Sequence, residues 1–330
     1  MFRLRRAKRK MNNNTAGSSL FELQIKINIS MIAILSFFCI TGNSLSIYIM
    51  TKPKFFKIPL FRFSAVATLL SIFRLFCWIV GAYPNEFGVT KSGLNCTMFY
   101  YLAYIPHQVA TWIVVWTGID CYISVRYPIK FQFRNKIQYQ ALIIFIILVL
   151  NLLNDIPNIF LFEFVQNDCI VTNYETATIV LIESGFLCTV LPGCLMILFS
   201  CLIYKRLSEN KKKLGVNQKK EISLFKTLVS IDILFLVCYV PYYISFLVFD
   251  ILKIPFERSI VWQIDQYLCS FYSAFDFFIY FFSNRVFREY CLRIIGLSCS
   301  TVKNKANIRF LMSREITKRA TLAVESDSSL

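Results

Sequence analysis

Seven long stretches of predominantly apolar residues dominate this chain, and each is long enough to cross a lipid bilayer as an α-helix. They cover residues 25–50, 58–82, 98–125, 137–162, 177–204, 224–249 and 259–283. Inside a bilayer only helices and closed barrels satisfy every backbone polar group, and the strict alternation of a barrel strand is missing. Because 56% of the 330 residues are hydrophobic, a soluble fold is excluded. The sequence therefore predicts an all-α membrane protein, a bundle of seven transmembrane helices.

The remaining segments complete a simple domain organisation. Residues 1–24 form a polar N-terminal tail, 25–283 the bundle, 284–297 a short amphipathic helix and 298–330 a polar C-terminal tail. In the amphipathic helix, apolar residues share one face and arginines lie elsewhere, as in a helix on the inner leaflet of a membrane. Its cysteine and the next one are candidate palmitoylation sites, Cys291 and Cys299. No internal repeat or inverted pair of halves of the transporter kind is found.

Basic residues predict the orientation of the bundle in the membrane. Every second connection is rich in lysine and arginine, and the longest such run follows the fifth stretch, from Lys205 to Lys226. The positive-inside rule makes these connections cytoplasmic. We therefore expect a multi-pass plasma-membrane protein with its N-terminus extracellular and its C-terminus cytoplasmic. The net charge of +17 is a signal of this orientation rather than of nucleic-acid binding.

The first ten residues, MFRLRRAKRK, conflict with that orientation because they place six basic residues outside. Translation from Met11, or translocation of these residues against the rule, would each explain them.

The extracellular segments contain candidate modification sites. Cys96 and Cys169 both face an oxidising compartment, and we expect them to form a disulfide; two free thiols are the alternative. Asn13 and Asn95 lie in glycosylation sequons, and Asn13, in the tail, is the favoured one.

Several local motifs, in this order and spacing, resemble those of the rhodopsin-like (class A) G-protein-coupled receptors. They are TGNSLSIYIM with Asn43, GIDCYISVRYP with Asp120 and Tyr122, Pro192, FLVCYVP with Phe235, Cys238, Tyr239 and Pro241, and DFFIYFFSNRVFREY with Tyr280. The resemblance covers the chain from Gly42 to about Cys299 and implies a cell-surface receptor, not an enzyme, with an extracellular ligand and a heterotrimeric G protein as partners. Prolines inside the fifth and sixth stretches kink their helices, as moving inner ends require.

The chain departs from the family pattern at residues that carry the conformational switch. Cys121 stands where the family has an arginine, so Asp120 lacks its usual partner. We expect Asp120 to pair with Arg126 or Arg134, or to meet water, because a carboxylate that is neither paired nor hydrated is costly there, and we expect weaker activation of G protein. The switch set is otherwise Tyr122, Pro192, Phe235, Tyr239, Pro241, Asp276 and Tyr280.

Two further departures concern buried polar residues. Thr68 replaces the usual aspartate of the second span, while Asp276 lies in the seventh, so Asn43, Thr68 and Asp276 are expected to form one buried polar cluster. Whether this cluster holds a sodium ion is left open, and no other metal or cofactor is expected. Phe277 replaces a proline, which should leave the seventh helix straighter. Asp232 is expected to bond to the fifth or third helix.

The upper bundle contains the candidate ligand-binding residues. Ala103 stands where monoamine receptors have an aspartate, and the seventh stretch lacks the lysine that retinal requires, so neither ligand is expected. A buried arginine should face a cavity or a partner. The candidate set is Arg74, Trp78, Tyr100, Ala103, Tyr104, His107, Tyr242, Tyr243, Phe246, Asp250, Trp262, Asp265 and Gln266. Helix packing is the alternative role for the aromatic members, and a core position is the alternative for His107.

Acidic residues outnumber basic ones in the predicted extracellular loops, Asp250 and Asp265 among them. An acidic opening attracts cationic ligands, so with an aromatic interior we expect a basic, amidated neuropeptide of the RFamide (FMRFamide) kind. Ordinary solvated loop carboxylates are the alternative. Tail phosphorylation would recruit arrestin, and the lysine-rich loop would meet anionic membrane lipid or the G protein. A degenerate receptor that acts as a decoy, an arrestin-biased receptor or a heteromer partner, and a seven-helix transporter, are the alternative functions.

Overall fold

The computed structural model describes residues 15–82, 93–127, 131–160, 162–165, 168–171, 179, 182–183, 185–209, 217–251 and 260–296. Seven long helices occur in these residues: α1 (Thr15–Met50), α2 (Pro59–Ala82), α3 (Gly93–Arg126), α4 (Ile137–Asn154), α5 (Leu191–Glu209), α6 (Asn217–Ile251) and α7 (Ile260–Ser283). A shorter helix, α8 (Arg285–Ile294), follows. We call the end of the bundle at which α1, α3, α5 and α7 begin the upper end, and the opposite end the lower end.

The predicted helical bundle is confirmed. Six helices, α1 to α6, are long and apolar enough within the described residues to cross a membrane. The seventh, α7, has 24 residues but more polar side chains, and those of Asp265, Ser270, Ser273 and Asp276 are buried. Because its polar residues face the protein and Ile264 and Phe282 face outward, α7 can occupy the same medium as the others.

The helices surround α3 and α7. Helix α3 packs against α2, α4 and α5, whereas α7 packs against α1, α2 and α6. On every long helix except α3, large apolar side chains are exposed on the outer face, where lipid would contact them: Phe37, Leu69, Phe145, Ile197, Val237 and Phe282. On α3 such residues are exposed only near the upper end, at Met98, Leu102 and Tyr104. Helix α3 is therefore the central element that can touch most sites in the bundle.

Several helices are longer than the apolar stretches that predicted them. Helix α1 begins at Thr15 rather than at residue 25, and α6 begins at Asn217 rather than at 224. Hydropathy detects only the part of a helix that lies in lipid. Once nucleated, a helix continues into water for as long as its residues tolerate it. The predicted N-terminal tail is thus partly helical.

The fourth helix is shorter than predicted. Helix α4 ends at Asn154, and a short 3₁₀ helix, Ile156–Phe160, follows it. Pro157 is the cause, because proline disfavours the helical conformation of the residue before it. The predicted stretch 137–162 therefore combines a helix with a turn.

A two-stranded antiparallel hairpin, which the sequence did not predict, lies between α4 and α5. Strand β1 (Phe162–Val165) pairs with β2 (Asp168–Val171), with Phe164 opposite Cys169. Both strands lie against α3. The hairpin thus covers part of the upper end of the bundle.

Prolines and one irregular turn shape the middle of the bundle. Pro241 lies inside α6 as predicted, and α3 contains a further proline, Pro106. A five-residue π-helix, Phe186–Val190, immediately precedes Pro192 of α5. Its cap residue Gly185 contacts the Tyr243 ring so closely that an added Cβ would lie 2.2 Å from the ring.

Helix α8 follows α7 in the sequence. It is amphipathic: Phe287 and Cys291 are buried on one face, and Arg285 and Arg293 are exposed. Arg285 Nε donates to Glu289 Oε1 over 2.8 Å, an (i, i+4) pair that favours the helix. The helix ends before Gly296, which adopts a φ of +78°, the left-handed conformation that glycine provides at a helix C-terminus.

Candidate functional site

The centre of the upper half contains a half-buried arginine that joins three helices. Arg74 of α2 donates from Nη1 to the Tyr239 hydroxyl of α6. The same nitrogen donates to the Cys269 carbonyl oxygen over 3.1 Å and to Ser273 Oγ over 3.2 Å, both in α7. The Arg74 guanidinium carbon lies 5.3 Å from the centre of the Tyr239 ring. Arg74 therefore has partners, as the cost of burying a guanidinium in a membrane requires.

The Tyr239 ring connects this arginine to α3 and to the aromatic core below. It stacks on the His107 ring with centroids 4.5 Å apart and an interplanar angle of 16°. On the other side it packs against Phe235 at 4.9 Å and Tyr272 at 5.3 Å. His107 is half-buried. We call Arg74, His107, Tyr239, Cys269 and Ser273 the central cluster; it links α2, α3, α6 and α7.

The other predicted ligand-binding residues do not all face one cavity. Trp78 is half-buried and packs on the apolar cluster around Leu35 and Leu75. Tyr243 packs against Gly185, and Tyr104 is exposed. Tyr242 and Gln266 are half-buried. The side chains of Tyr100, Ala103, Phe246, Asp250 and Trp262 lie outside the described residues.

Asp265 differs from its expected place in an acidic extracellular loop. It lies in the first turns of α7 and is only 3% exposed. Ser245 of α6 hydrogen bonds to its carboxylate. Its burial against a neighbouring helix removes Asp265 from the solvated acids that could attract a ligand at long range.

Asn43, Thr68 and Asp276, which were expected to form one polar cluster, are all buried, but no hydrogen bond joins them among the described residues. Asn43 Nδ2 donates to the Ser273 carbonyl oxygen over 2.8 Å, and Ser71 Oγ donates to Asp276 Oδ2 over 3.1 Å. Thr68 is buried, yet its hydroxyl has no hydrogen-bond partner among the described residues. Ser71, one turn further along α2, is therefore the partner of Asp276, and the sequence analysis missed it.

A second buried carboxylate, that of Asp155, was not predicted from the sequence. Asp155, which caps α4, is fully buried, and Gln108 Nε2 of α3 donates to its Oδ1 over 2.7 Å. A charged residue within a predicted apolar span was the available signal. This bond ties α4 to α3 near the upper end.

At the lower end, Asp120 of α3 pairs with Arg134, as one of the predicted alternatives requires. Arg134 Nη1 lies 3.6 Å from Asp120 Oδ1 and donates to the Asp120 carbonyl oxygen over 2.6 Å. Both side chains are about 90% buried, with relative exposures of 10% and 9%. Arg62 of α2 donates to the Asn135 carbonyl oxygen over 2.8 Å and interacts electrostatically with Asp120. Arg126, the other candidate, is exposed.

Cys121 borders a cavity of about 80 Å³ at the lower end. Its walls come from α2, α3, α5 and α6 and include Thr117, Asp120, Ser124, Ile203 and Leu224. The neighbouring Tyr122 packs near Phe199 with ring centroids 6.0 Å apart. Cys121, which stands where the family pattern has an arginine, therefore lies beside this cavity and next to the carboxylate of Asp120.

Two hydrogen bonds hold the lower half of α6. Ser200 Oγ of α5 donates to Asp232 Oδ2 over 2.7 Å, which confirms the predicted bond from Asp232 to the fifth helix. Ser283 Oγ of α7 donates to Thr227 Oγ1 over 3.0 Å. Tyr280 of α7 is buried and borders a small void of about 10 Å³ with Ser64 and Ile231. The lower half of α6 is therefore bonded to a helix on each side.

The predicted modification sites are only partly described. The backbones of Asn95 and Cys96 in α3 and of Cys169 in β2 are described, but their side chains are not, and Asn13 and Cys299 lie outside the described residues. The Cys291 side chain is fully buried, and burial raises the pKa of its thiol. Among the described residues, no group of three or more His, Cys, Asp or Glu could hold a metal ion.

The chain matches a known protein family. The family model described as 7 transmembrane receptor (rhodopsin family) matches residues 42–280. The matched region includes five complete helices, α2 to α6, together with the last turns of α1 and most of α7.

Proposed function

This chain belongs to the rhodopsin family of seven-transmembrane receptors, and on that premise we propose that it is a receptor for a peptide that enters the upper end of the bundle. Family membership makes the chain a multi-pass membrane protein and a cell-surface receptor. Members of this family are receptors rather than enzymes, and they imply a ligand and a G protein as partners.

The central cluster is the observation that carries the proposal. Arg74, His107 and Tyr239 come from three different helices, and Arg74 and His107 each contact Tyr239 in the upper half. A ligand that displaces any one of them changes contacts of α2, α3, α6 and α7 together. Packed cores respond to such shifts by moving between discrete arrangements, and Pro241, a proline inside α6 of the kind that kinks a helix, lies two residues from Tyr239. Ligand binding would thus be transmitted to the lower ends of α5, α6 and α7.

The ligand chemistry follows from the predicted extracellular loops. Their acidic residues Glu86, Glu163, Asp168, Glu175, Asp250 and Glu257 favour a cationic peptide through long-range attraction. A cationic neuropeptide satisfies this requirement, whether its C-terminus is an amide, as in the RFamide kind, or a free carboxylate. Asp265, being buried, is left out of this attraction and supports the α6–α7 contact instead.

The predicted orientation of the bundle in the membrane supports ligand binding at the upper end and G-protein binding at the lower end. The basic connections place the lower end in the cytoplasm, where Asp120, Cys121 and the lysine-rich segment between α5 and α6 would meet a G protein. The hairpin β1–β2 would then be extracellular, with Cys169 on the same side as Cys96.

A second candidate function is a receptor that couples poorly to G protein. The observation that favours it is the pairing of Asp120 with Arg134 beside a cysteine that cannot supply an arginine's planar set of donors. Such a receptor would recruit arrestin, act with a partner receptor or sequester its ligand.

A peptide-library screen with two readouts tests both candidates. Cells that express the full chain would be assayed in parallel for G-protein activation and for arrestin recruitment. A peptide that acts through the central cluster should lose about tenfold or more in potency on Tyr239→Phe, which removes the hydroxyl that accepts from Arg74. Leu69→Ala, a change on the outer face of α2, should leave the potency unchanged.

The two readouts separate the candidates. Arrestin recruitment without G-protein activation would favour the second candidate. If no peptide acts in either assay but the protein moves a solute into vesicles, the receptor proposal is wrong and a seven-helix transporter replaces it.

A further inference from the structure

Arg74 has hydrogen-bond donors that the protein does not use. All three of its hydrogen bonds leave from Nη1. Nε and Nη2 have no acceptor among the described residues. Guanidinium N–H groups form a planar fork that matches a carboxylate in two parallel bonds. One edge of this fork therefore remains available.

The charge of Arg74 is not neutralised by an ion pair. Its three acceptors are a hydroxyl of tyrosine, a carbonyl and a hydroxyl of serine, all neutral. Among the described residues no carboxylate lies within 4.0 Å of it. Asp276 accepts from Ser71 and interacts electrostatically with Arg74 without an ion pair, and Asp265 accepts from Ser245, so neither carboxylate of α7 forms an ion pair with Arg74 in the described residues. An arginine remains charged in any protein environment, and a buried charge is stable when an opposite charge joins it.

His107 adds a second donor at the same place. Its ring lies flat on Tyr239, the residue to which Arg74 is bonded. The ring nitrogens of His107 have no hydrogen-bond partner in the described part of the chain, and the residue is half-buried. In either neutral tautomer one of them carries a proton that can be donated. Two donor groups from α2 and α3 thus flank one tyrosine without an anion between them.

We propose that Arg74 and His107 form an oxyanion site that binds a carboxylate at the buried end of the ligand. This inference rests on the proposed function, because it names the group that a peptide presents to the central cluster. The peptide would insert its free C-terminus, while its cationic residues remain near the acidic loops. A C-terminal amide offers one carbonyl oxygen and no charge, so it would use only part of the fork.

A small probe tests the site without knowledge of the natural peptide. N-acetylphenylalanine carries the free carboxylate of a C-terminal residue, and N-acetylphenylalaninamide is its neutral counterpart. The purified full-length protein would be titrated with each, and thermal unfolding would report binding, since a ligand of the native state raises the unfolding temperature. The acid should stabilise the wild type at concentrations at least about tenfold lower than the amide.

Substitutions test whether Arg74 and His107 cause the preference for the acid probe. Arg74→Gln should abolish the preference for the acid, and Arg74→Lys, which keeps the charge without the fork, should weaken acid binding about tenfold. His107→Phe preserves the stacking on Tyr239 and leaves Arg74 in place, so it remains informative if Arg74→Gln fails to fold; it should weaken acid binding about threefold to tenfold. Arg62→Gln removes another guanidinium of α2, about 18 Å lower along the helix, and should leave the preference intact.

The outcomes separate this inference from the proposed function. Equal stabilisation by acid and amide, no stabilisation by the acid, or a preference that survives both Arg74→Gln and His107→Phe would overturn the oxyanion site. In the peptide screen, each sequence would be supplied as free acid and as amide. Activation by amides with equal or higher potency would overturn the site but keep the peptide receptor. A preference for the acid probe without any active peptide would keep the site and overturn the peptide receptor.

Discussion

Ser200 of α5 donates a hydrogen bond to Asp232 of α6 over 2.7 Å, and this bond joins two helices inside the membrane. Asp232 is 5% exposed, and its other carboxylate oxygen, Oδ1, has no partner among the described residues. Ser200 is therefore the one donor described for a buried carboxylate. In the lower half of α6, where Thr227 is bonded to Ser283 of α7 on the other side, this bond restrains a helix that a receptor must move.

Removing Ser200 should destabilise the protein and free α6. Ser200→Ala leaves Asp232 without its donor, and the expected loss in the free energy of unfolding is about 1–3 kcal/mol. Replacing both partners by apolar residues, as in Ser200→Ala with Asp232→Leu, should recover most of that loss. Thermal unfolding in detergent measures the effect. Equal stability of Ser200→Ala and the wild type would show that the bond contributes nothing.

The close approach of α1 and α7 at Gly42 predicts that a larger residue there destabilises the protein. A Cβ at Gly42 would lie 3.0 Å from Phe277 Cβ, so Gly42→Ala should cost about 1–3 kcal/mol through overpacking. Gly118→Ala is the matched control, because its Cβ would lie 3.6 Å from Phe199, an ordinary contact, and alanine favours a helix. Unfolding measurements on Gly42→Ala, Phe277→Ala and the double variant should show that the smaller side chain at residue 277 relieves the strain. Additive losses would contradict this packing.

Arg134 and Arg126 offer a direct comparison at the lower end. Arg134→Ala leaves the buried Asp120 without its ion pair, and the expected destabilisation is about 3 kcal/mol. Arg126→Ala, a change of an exposed residue, should stay within about 0.5 kcal/mol of the wild type. Surface expression and thermal unfolding would both report the difference. A larger loss of stability in Arg126→Ala than in Arg134→Ala would identify Arg126 as the partner of Asp120 in the membrane.

Cys121→Arg should change signalling rather than stability alone. The new side chain can extend into the cavity of about 80 Å³ that Cys121 borders, next to Asp120, and supplies the guanidinium that the family pattern has there. We expect stronger G-protein activation for a given surface expression. Cys121→Leu, which fills the same space without donors, is the control and should not raise activation. Unchanged coupling in Cys121→Arg would mean that the missing arginine does not limit signalling.

Acylation should depend more on Cys299 than on Cys291. Cys291 is buried, and because its thiol pKa is raised, a smaller fraction of it is the reactive thiolate at any pH below that pKa. We expect Cys299→Ser to remove most of the thioester-linked lipid in an acyl-exchange assay and Cys291→Ser to remove little. The opposite result would require Cys291 to become exposed at the membrane.

The buried polar contacts show where sequence reasoning stopped. Asp232 was expected to bond to the fifth or third helix, and Asp120 to Arg126 or Arg134; in each case the structure selects one. Thr68 was expected beside Asp276, but Ser71 occupies that place. Asp265 was grouped with loop acids, although it is buried against α6. These errors concern which residue of a helix turns toward a neighbour.

The sequence by itself determined the medium, the number of membrane-crossing helices and their approximate limits, because lipid demands about 20 apolar residues for each crossing and leaves backbone groups no partners outside a helix. The tertiary structure decided which side chains meet. Rotation by one residue turns a helix by about 100°, and packing against several neighbours sets that rotation. The assembly of Arg74, His107 and Tyr239 from three helices therefore became visible only in the folded protein.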